Sequence, residues 1–216
     1  GFYESCGPQG EKLIEYVEKE WKGEKHVGEL PLDIVNECVA HGEKAVAAMK
    51  AITAQPTKNK EEFERIKNDM ECYRTFAISF RYKVLAAQQV LNYKWTKEIK
   101  YLDAAVPLLN KSLLYWYKLA LITDDTYHYA NSMQTSHRRI PVGGDDGKFK
   151  TWKDMIPVYE EELEALQNNI YKLKNPTAKN TDEKIDAVVP ATLRLISPSK
   201  TVTLTKGAYL YENRPE

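Results

Sequence analysis

The chain has 216 residues, its 31 basic and 31 acidic side chains cancel, and 43% of it is hydrophobic against 29% charged. The cancelling charge argues against a generally cationic nucleic-acid binder, because counterion release needs clustered Lys and Arg. The composition is that of a folding chain rather than a disordered one, and no apolar run reaches the ~18 residues of a membrane span.

A short amphipathic segment comes first, with Leu13, Ile14, Val17 and Trp21 on one side. Leu32, Val35, Val39, Gly42, Val46 and Met49 then recur at helical spacing. Phe63, Ile66, Met70, Tyr73, Ala77, Phe80, Val84, Ala87 and Leu91 step by threes and fours. That pattern predicts a helix from about 59 to 92, on the order of 50 Å long. Asn59 and Glu62 read as its capping box. Ile99, Leu102, Val106, Leu109, Leu113, Trp116 and Ala120 form the next stripe, with Pro107 inside it as an expected kink. Trp152, Ile156, Tyr159, Leu163, Leu166, Ile170 and Leu173 form the last, with Thr151 and Asp154 at its cap and Pro157 near its start.

No such helix buries its stripe alone. The expected fold is therefore mainly α, an antiparallel bundle of four long helices plus a shorter N-terminal helix over residues 1–174. Its seam is expected to include Ile66, Met70, Phe80, Val84, Leu102, Val106, Leu109, Leu163 and Leu166. Composition changes at Asn175-Pro176-Thr177. Residues 175–216 read as a linker and a short β-like C-terminal tail, with alternation in 191–196 and 201–205. The tail is too short for an ordinary sandwich. By origin it reads as the opening of a further domain in preference to a hairpin, while being expected to pack locally here.

Cys6, Cys38 and Cys72 have no C-x-x-C spacing, which argues against a zinc or redox site. A Cys38–Cys72 bridge requires neighbouring helices; two buried thiols acting as small apolar groups are the preferred reading. The start Gly1-Phe2-Tyr3-Glu4 lacks the basic and apolar regions of a secretory signal. For an exported parent, that signal has been removed or lies outside this sequence.

The chemically richest stretch runs from Tyr115 to Trp152. Tyr127, Tyr129 and Trp152 offer ring faces on which a sugar stacks, while Arg138, Arg139, Asp145 and Asp146 offer polar contacts to hydroxyls or acidic groups. These seven residues are the candidate ligand site; the competing reading places Trp116 in the core with tyrosines packed at its rim. Asp124 and Asp125 are neighbours about 100° apart on a helix, so adjacency does not make them a catalytic pair. A helix-end role is preferred for them, and no catalytic residue is assigned. His128 and His137 do not match a ligand spacing, and Gly143–Gly147 lacks the phosphate-loop ending and the calcium-loop acids. A calcium ion on Asp145 and Asp146 is the weaker reading, so no metal or cofactor is expected. Glu160-Glu161-Glu162 reads as a solvated face.

The runs Leu114-Tyr115-Trp116-Tyr117-Lys118, Asn131-Ser132-Met133-Gln134-Thr135, Arg138-Arg139-Ile140-Pro141 and Thr151-Trp152-Lys153-Asp154-Met155 resemble helical accessory segments of large exported carbohydrate-processing proteins of gut bacteria. The resemblance covers roughly residues 110–170 and carries over no catalytic residue. It implies an extracytoplasmic, carbohydrate-associated setting. The expected function is a noncatalytic accessory or scaffolding module, with neighbouring domains of a longer chain as partners and a glycan as ligand. The alternatives are a glycoside-acting enzyme domain using Asp124, Asp125 or the loop acids, and a protein-interaction bundle.

Overall fold

A computed structural model describes residues 10–54, 56–127 and 151–176. Five α-helices lie among them: α1 (Leu13–Lys22), α2 (Pro31–Ala51), α3 (Lys60–Thr96), α4 (Ile99–Thr123) and α5 (Ile156–Lys174). The predicted β-like tail beyond 176 falls outside the described residues, as do Cys6 and the stretch 128–150. The mainly helical fold expected from the spacing is the fold observed. No helix of the described residues is long and apolar enough to cross a membrane.

Local chemistry explains the helix ends. Gly23 follows α1 at φ 66, a left-handed conformation that costs glycine little, and its N–H donates to the Glu20 carbonyl. The α3–α4 connection is two residues, Lys97 and Glu98. There the Thr96 hydroxyl donates to the Asn92 carbonyl at 2.9 Å and accepts from the Glu98 N–H at 3.1 Å. Before α5, the Thr151 N–H and hydroxyl both donate to Asp154 Oδ2 at 2.9 Å, and the Asp154 N–H donates back to Thr151 Oγ1 at 3.2 Å. This is the cap expected from the sequence. The one expected at Asn59 is replaced by another geometry. Asn59 sits at φ 54, outside the extended region an N-cap uses, and Glu62 pairs with Arg65 at 2.7 Å instead.

The chain divides into two compact units. The unit of residues 34–83 and 107–163 gathers α2 with parts of α3, α4 and α5. Its contacts fix the directions. Asn36 meets Arg81 and Lys50 meets Glu71, so α2 runs antiparallel to α3. Ser79 meets Ser112 and Asn68 meets Ile122, so α3 runs antiparallel to α4. Asp124 meets Lys153 and Tyr117 donates to Glu160, so α4 runs antiparallel to α5, and Trp116 packs on both Tyr159 and Trp152. Gly42 lets α2 and α3 approach closely: a Cβ there would stand 2.8 Å from the Arg74 Cα. The buried Ser79 hydroxyl donates to the Ser112 carbonyl, and the Ser112 hydroxyl donates to the Ser79 carbonyl, each at 2.8 Å. The reciprocal pair satisfies polar atoms that would otherwise be costly to bury.

The unit of residues 10–33, 84–106 and 164–176 has its own core. Leu13 and Val17 of α1, Val84, Ala87 and Leu91 of α3, Leu102 and Ala105 of α4, and Leu166 and Ile170 of α5 are all buried. Asp103 and Lys174 pair at 2.8 Å on its surface, placing the start of α4 beside the end of α5.

The predicted seam is met at Val84, Leu102, Leu109 and Leu166, which are buried, and partly at Met70, Phe80, Val106 and Leu163, which are half-buried. Ile66 departs from it, at 39% exposed. The buried face of α3 rotates onto Thr75, Ile78, Ser79 and Lys83, because α3 has helices packed on more than one side and a single stripe understates what it buries. Cys38 is exposed and Cys72 half-buried, both as free thiols, so the expected pair of buried thiols is corrected at Cys38. The Cys72 thiol is pushed up to about 11 by burial, then by Asp69 and Glu71, which keeps it protonated at neutral pH.

Leu109→Ala is expected to cost about 2–5 kcal/mol in denaturant unfolding, because the side chain is buried. Ile66→Ala is expected to cost less than about 1 kcal/mol, as exposed substitutions do. Equal losses at the two positions would place the seam back on Ile66.

Candidate functional site

The residues with chemical reach in the 34–83 and 107–163 unit gather around one indole. Trp116 on α4 is 7% exposed and forms a core cluster with Leu119 and Met155. Tyr159 meets its ring edge-to-face at 4.6 Å between centroids, and Trp152 meets it at 5.6 Å. The Trp116 Nε1–H donates to the Trp152 carbonyl at 2.9 Å. One indole thus anchors the turn before α5 by ring packing and by a backbone hydrogen bond. Phe76 on α3 closes the group at 6.2 Å from Trp116 and 6.0 Å from Trp152, and remains 40% exposed.

Beneath the rings lies a buried ion pair. Lys83 Nζ stands 2.8 Å from Glu162 Oε2 and 3.4 Å from the centroid of the Tyr159 ring. Lys83 is 6% exposed and Glu162 8%. Burial lowers the Lys83 pKa, and the Glu162 carboxylate opposes that shift. Burial, and then Glu162, push the Tyr159 hydroxyl up to about 12, which keeps it neutral. The acidic run at 160–162 is therefore not wholly the solvated face expected from the sequence. Glu160 and Glu161 are exposed, whereas Glu162 turns inward to a cation. The signal was present in the spacing. Phe80, Lys83 and Ala87 step by three and four, as do Tyr159, Glu162 and Leu166. Each buried stripe thus carries one charge, and the two are of opposite sign.

Two of the seven candidate ligand residues are described. Tyr127 donates its hydroxyl to Asp69 Oδ1. Trp152 is half-buried within the aromatic group. Tyr129, Arg138, Arg139, Asp145 and Asp146 lie outside the described residues, together with His128, His137 and the glycine-rich run. Trp116 takes the core position that the competing reading gave it. Asp124 is exposed and pairs with Lys153 at 2.8 Å, a bond that raises the lysine pKa. Asp125 is exposed beside it. Tyr117 donates to Glu160, and that bond, with burial, raises its pKa. Four described carboxylates of this region, Asp69, Asp124, Glu160 and Glu162, are thus engaged by cations or hydroxyls. Among the described residues no group of three His, Cys, Asp or Glu side chains is placed to hold a metal ion.

Trp152→Ala removes a half-buried ring that packs on both Phe76 and Trp116. A loss of about 3 kcal/mol, the lower end for a large aromatic, is expected in thermal or denaturant unfolding. An unchanged midpoint would free Trp152 from packing and leave it wholly available as a stacking surface.

No known family model matches this chain, and no curated protein does. Among solved structures, it is similar to part of a GH138 enzyme targeting pectin rhamnogalacturonan II, with 58% sequence identity and a TM-score of 0.74. The match covers 82% of this chain and 21% of the enzyme, so what it matches is one part of a much longer carbohydrate-processing protein.

Proposed function

We propose that this chain is a noncatalytic helical accessory segment of a larger GH138-like enzyme acting on pectic glycans outside the cytoplasm. It positions neighbouring domains of the same polypeptide and contributes glycan contacts. The observation that carries this reading is the 58% identity over 82% of the chain, confined to 21% of the solved enzyme. Such identity makes a shared role for this segment the simplest reading, while most of the enzyme lies elsewhere.

A noncatalytic role also agrees with the chemistry. Glycosidases hold two carboxyl groups across the scissile bond at a controlled separation. Asp124 instead pairs with a surface lysine, and Glu162 with a buried one. Pectic glycans are acidic, and arginine forks match carboxylates well. Arg138 and Arg139 are the cations proposed for that contact. Tyr127, Tyr129 and Trp152 are proposed to provide ring faces, and Asp145 and Asp146 to accept from hydroxyls.

Purified residues 1–216, mixed with rhamnogalacturonan II oligosaccharides, are expected to release no new reducing ends. Saturable changes in tryptophan fluorescence and amide NMR shifts are expected with acidic fragments, reduced by Arg138→Ala and Arg139→Ala. Turnover abolished by Asp124→Asn or Asp125→Asn, with the fold retained, would replace this reading with an enzyme domain. Absence of any saturable change would leave positioning of neighbouring domains as the whole role.

A further inference from the structure

The connection between α1 and α2 is tied down by an arrangement that the proposed function does not use. Glu11, just before α1, is almost enclosed, its side chain 5% exposed. Its Oε1 accepts from Lys19 Nζ at 2.6 Å and from the Val27 N–H at 2.7 Å. Its Oε2 lies 2.7 Å from His26 Nδ1. The other ring nitrogen of His26, Nε2, lies 2.6 Å from Glu20 Oε1 on α1. The imidazole also stacks on Tyr16, at 4.6 Å between centroids and 18° between planes. The Glu11 N–H donates to the Glu29 carbonyl at 2.9 Å, so the same residue holds the connection at two points.

An ionised carboxylate only accepts hydrogen bonds, and a neutral imidazole has one N–H and one bare lone pair. Two carboxylates at hydrogen-bond distance from both ring nitrogens are therefore satisfied only by the doubly protonated, cationic ring. We infer that His26 is a proton-operated clasp: the imidazolium bridges Glu11 and Glu20 and holds the α1–α2 connection closed, and loss of one proton opens it on the Glu20 side.

The side that yields follows from burial. Glu20 is 56% exposed and water replaces its lost partner, whereas Glu11 is enclosed and has no such replacement. The neutral ring therefore keeps its proton on Nδ1, facing Glu11. Lys19, Tyr16 and Asp33 are the other titratable groups around the clasp. Lys19 already neutralises part of the Glu11 charge, and Tyr16 is held protonated above its usual range by burial and then by Glu20, Asp33 and Glu11. Tyr16 therefore does not change charge near neutral pH, where the imidazole of His26 does.

The direction with pH is set by two groups. The hydrogen bond to Glu20 and then that to Glu11 raise the His26 pKa above its ordinary value. A raised histidine contributes stability that is fully present below its unfolded pKa and is lost as pH rises through its folded pKa. For Glu11, burial alone would raise the pKa, but the bonds from Lys19, His26 and Val27 outweigh it and hold the carboxyl at about 2. Its contribution is present above the unfolded carboxylate range and is lost only as pH falls toward about 2. The clasp is closed between those limits and opens on the alkaline side.

Long-range ¹⁵N–¹H NMR of residues 1–216, followed from about pH 5 to about pH 9, tests this directly on the imidazole ring. Both His26 nitrogens are expected to read as protonated at the acid end. The midpoint is expected above the ordinary histidine value of about 6.5, with the Nδ1–H tautomer remaining at the alkaline end. Glu20→Gln, an exposed change that leaves the fold intact, should move the midpoint down. The inference is overturned by a midpoint at or below the ordinary value, by the Nε2–H tautomer at high pH, or by a midpoint indifferent to Glu20→Gln.

Discussion

A lysine and a glutamate sit among aromatic rings in the interior of the 34–83 and 107–163 unit, and the packing around them follows from that placement. Burying either charge alone is strongly unfavourable, because the lost hydration is not replaced. Lys83 on α3 and Glu162 on α5 meet in one relative placement of their helices, and at 2.8 Å they meet well. That placement also lays Tyr159 beneath the ammonium and against Trp116. A slip of one helical turn would move a residue about 5.4 Å and strand both charges. The pair therefore selects among packings that apolar contacts alone would leave close in energy. Its net contribution to stability is a separate matter, since well-packed apolar side chains often do as well.

Around this centre, polar groups are placed so that backbone atoms of the connections find partners. The Trp116 indole N–H reaches the Trp152 carbonyl, and the Thr151–Asp154 cap turns the chain into α5. Ser79 and Ser112 exchange hydroxyl bonds with each other's carbonyls across α3 and α4. Asn68 donates to the Ile122 carbonyl near the end of α4. Each such contact fastens a helix end or a helix pair that hydrophobic burial, being non-directional, does not orient. The aromatic group is therefore both a core and the frame of the turn that carries Trp152. This double duty limits what the ring offers to a ligand. A face used against Phe76 and Trp116 is not available for a sugar.

The chain is similar to one part of a long pectin-targeting enzyme. Catalytic carboxylates are held where their protonation differs and a substrate passes between them. Among the described acids, Asp69 and Glu160 accept from tyrosine hydroxyls, and Asp124 and Glu162 pair with lysines. The long α4–α5 connection is rich in aromatic and charged side chains, on which the proposed glycan contacts draw.

The helices, their order and most of their ends follow from local pattern. Three-four spacing is a property of a 3.6-residue helix, and caps such as Thr151 with Asp154 lie within one turn of the residues they serve. Val84, Leu102, Leu109 and Leu166 were legible as core for that reason. The candidate site was legible only as a set of residue types, with Trp152 and Tyr127 in plain view but their partners hidden. Which flank of each stripe faces inward was settled by packing. Ile66 is exposed and Lys83 buried because α3 meets several helices at once, and a single stripe cannot say from which sides they come. Glu162 looked like the third member of a solvated run until its helix was set against α3, where a cation waited for it. His26 and Glu11 are likewise separated in the chain and unremarked in its pattern. Their pairing depends on how a connection folds back, and the energy of a charge depends on what stands within a few ångströms of it rather than on its neighbours in sequence.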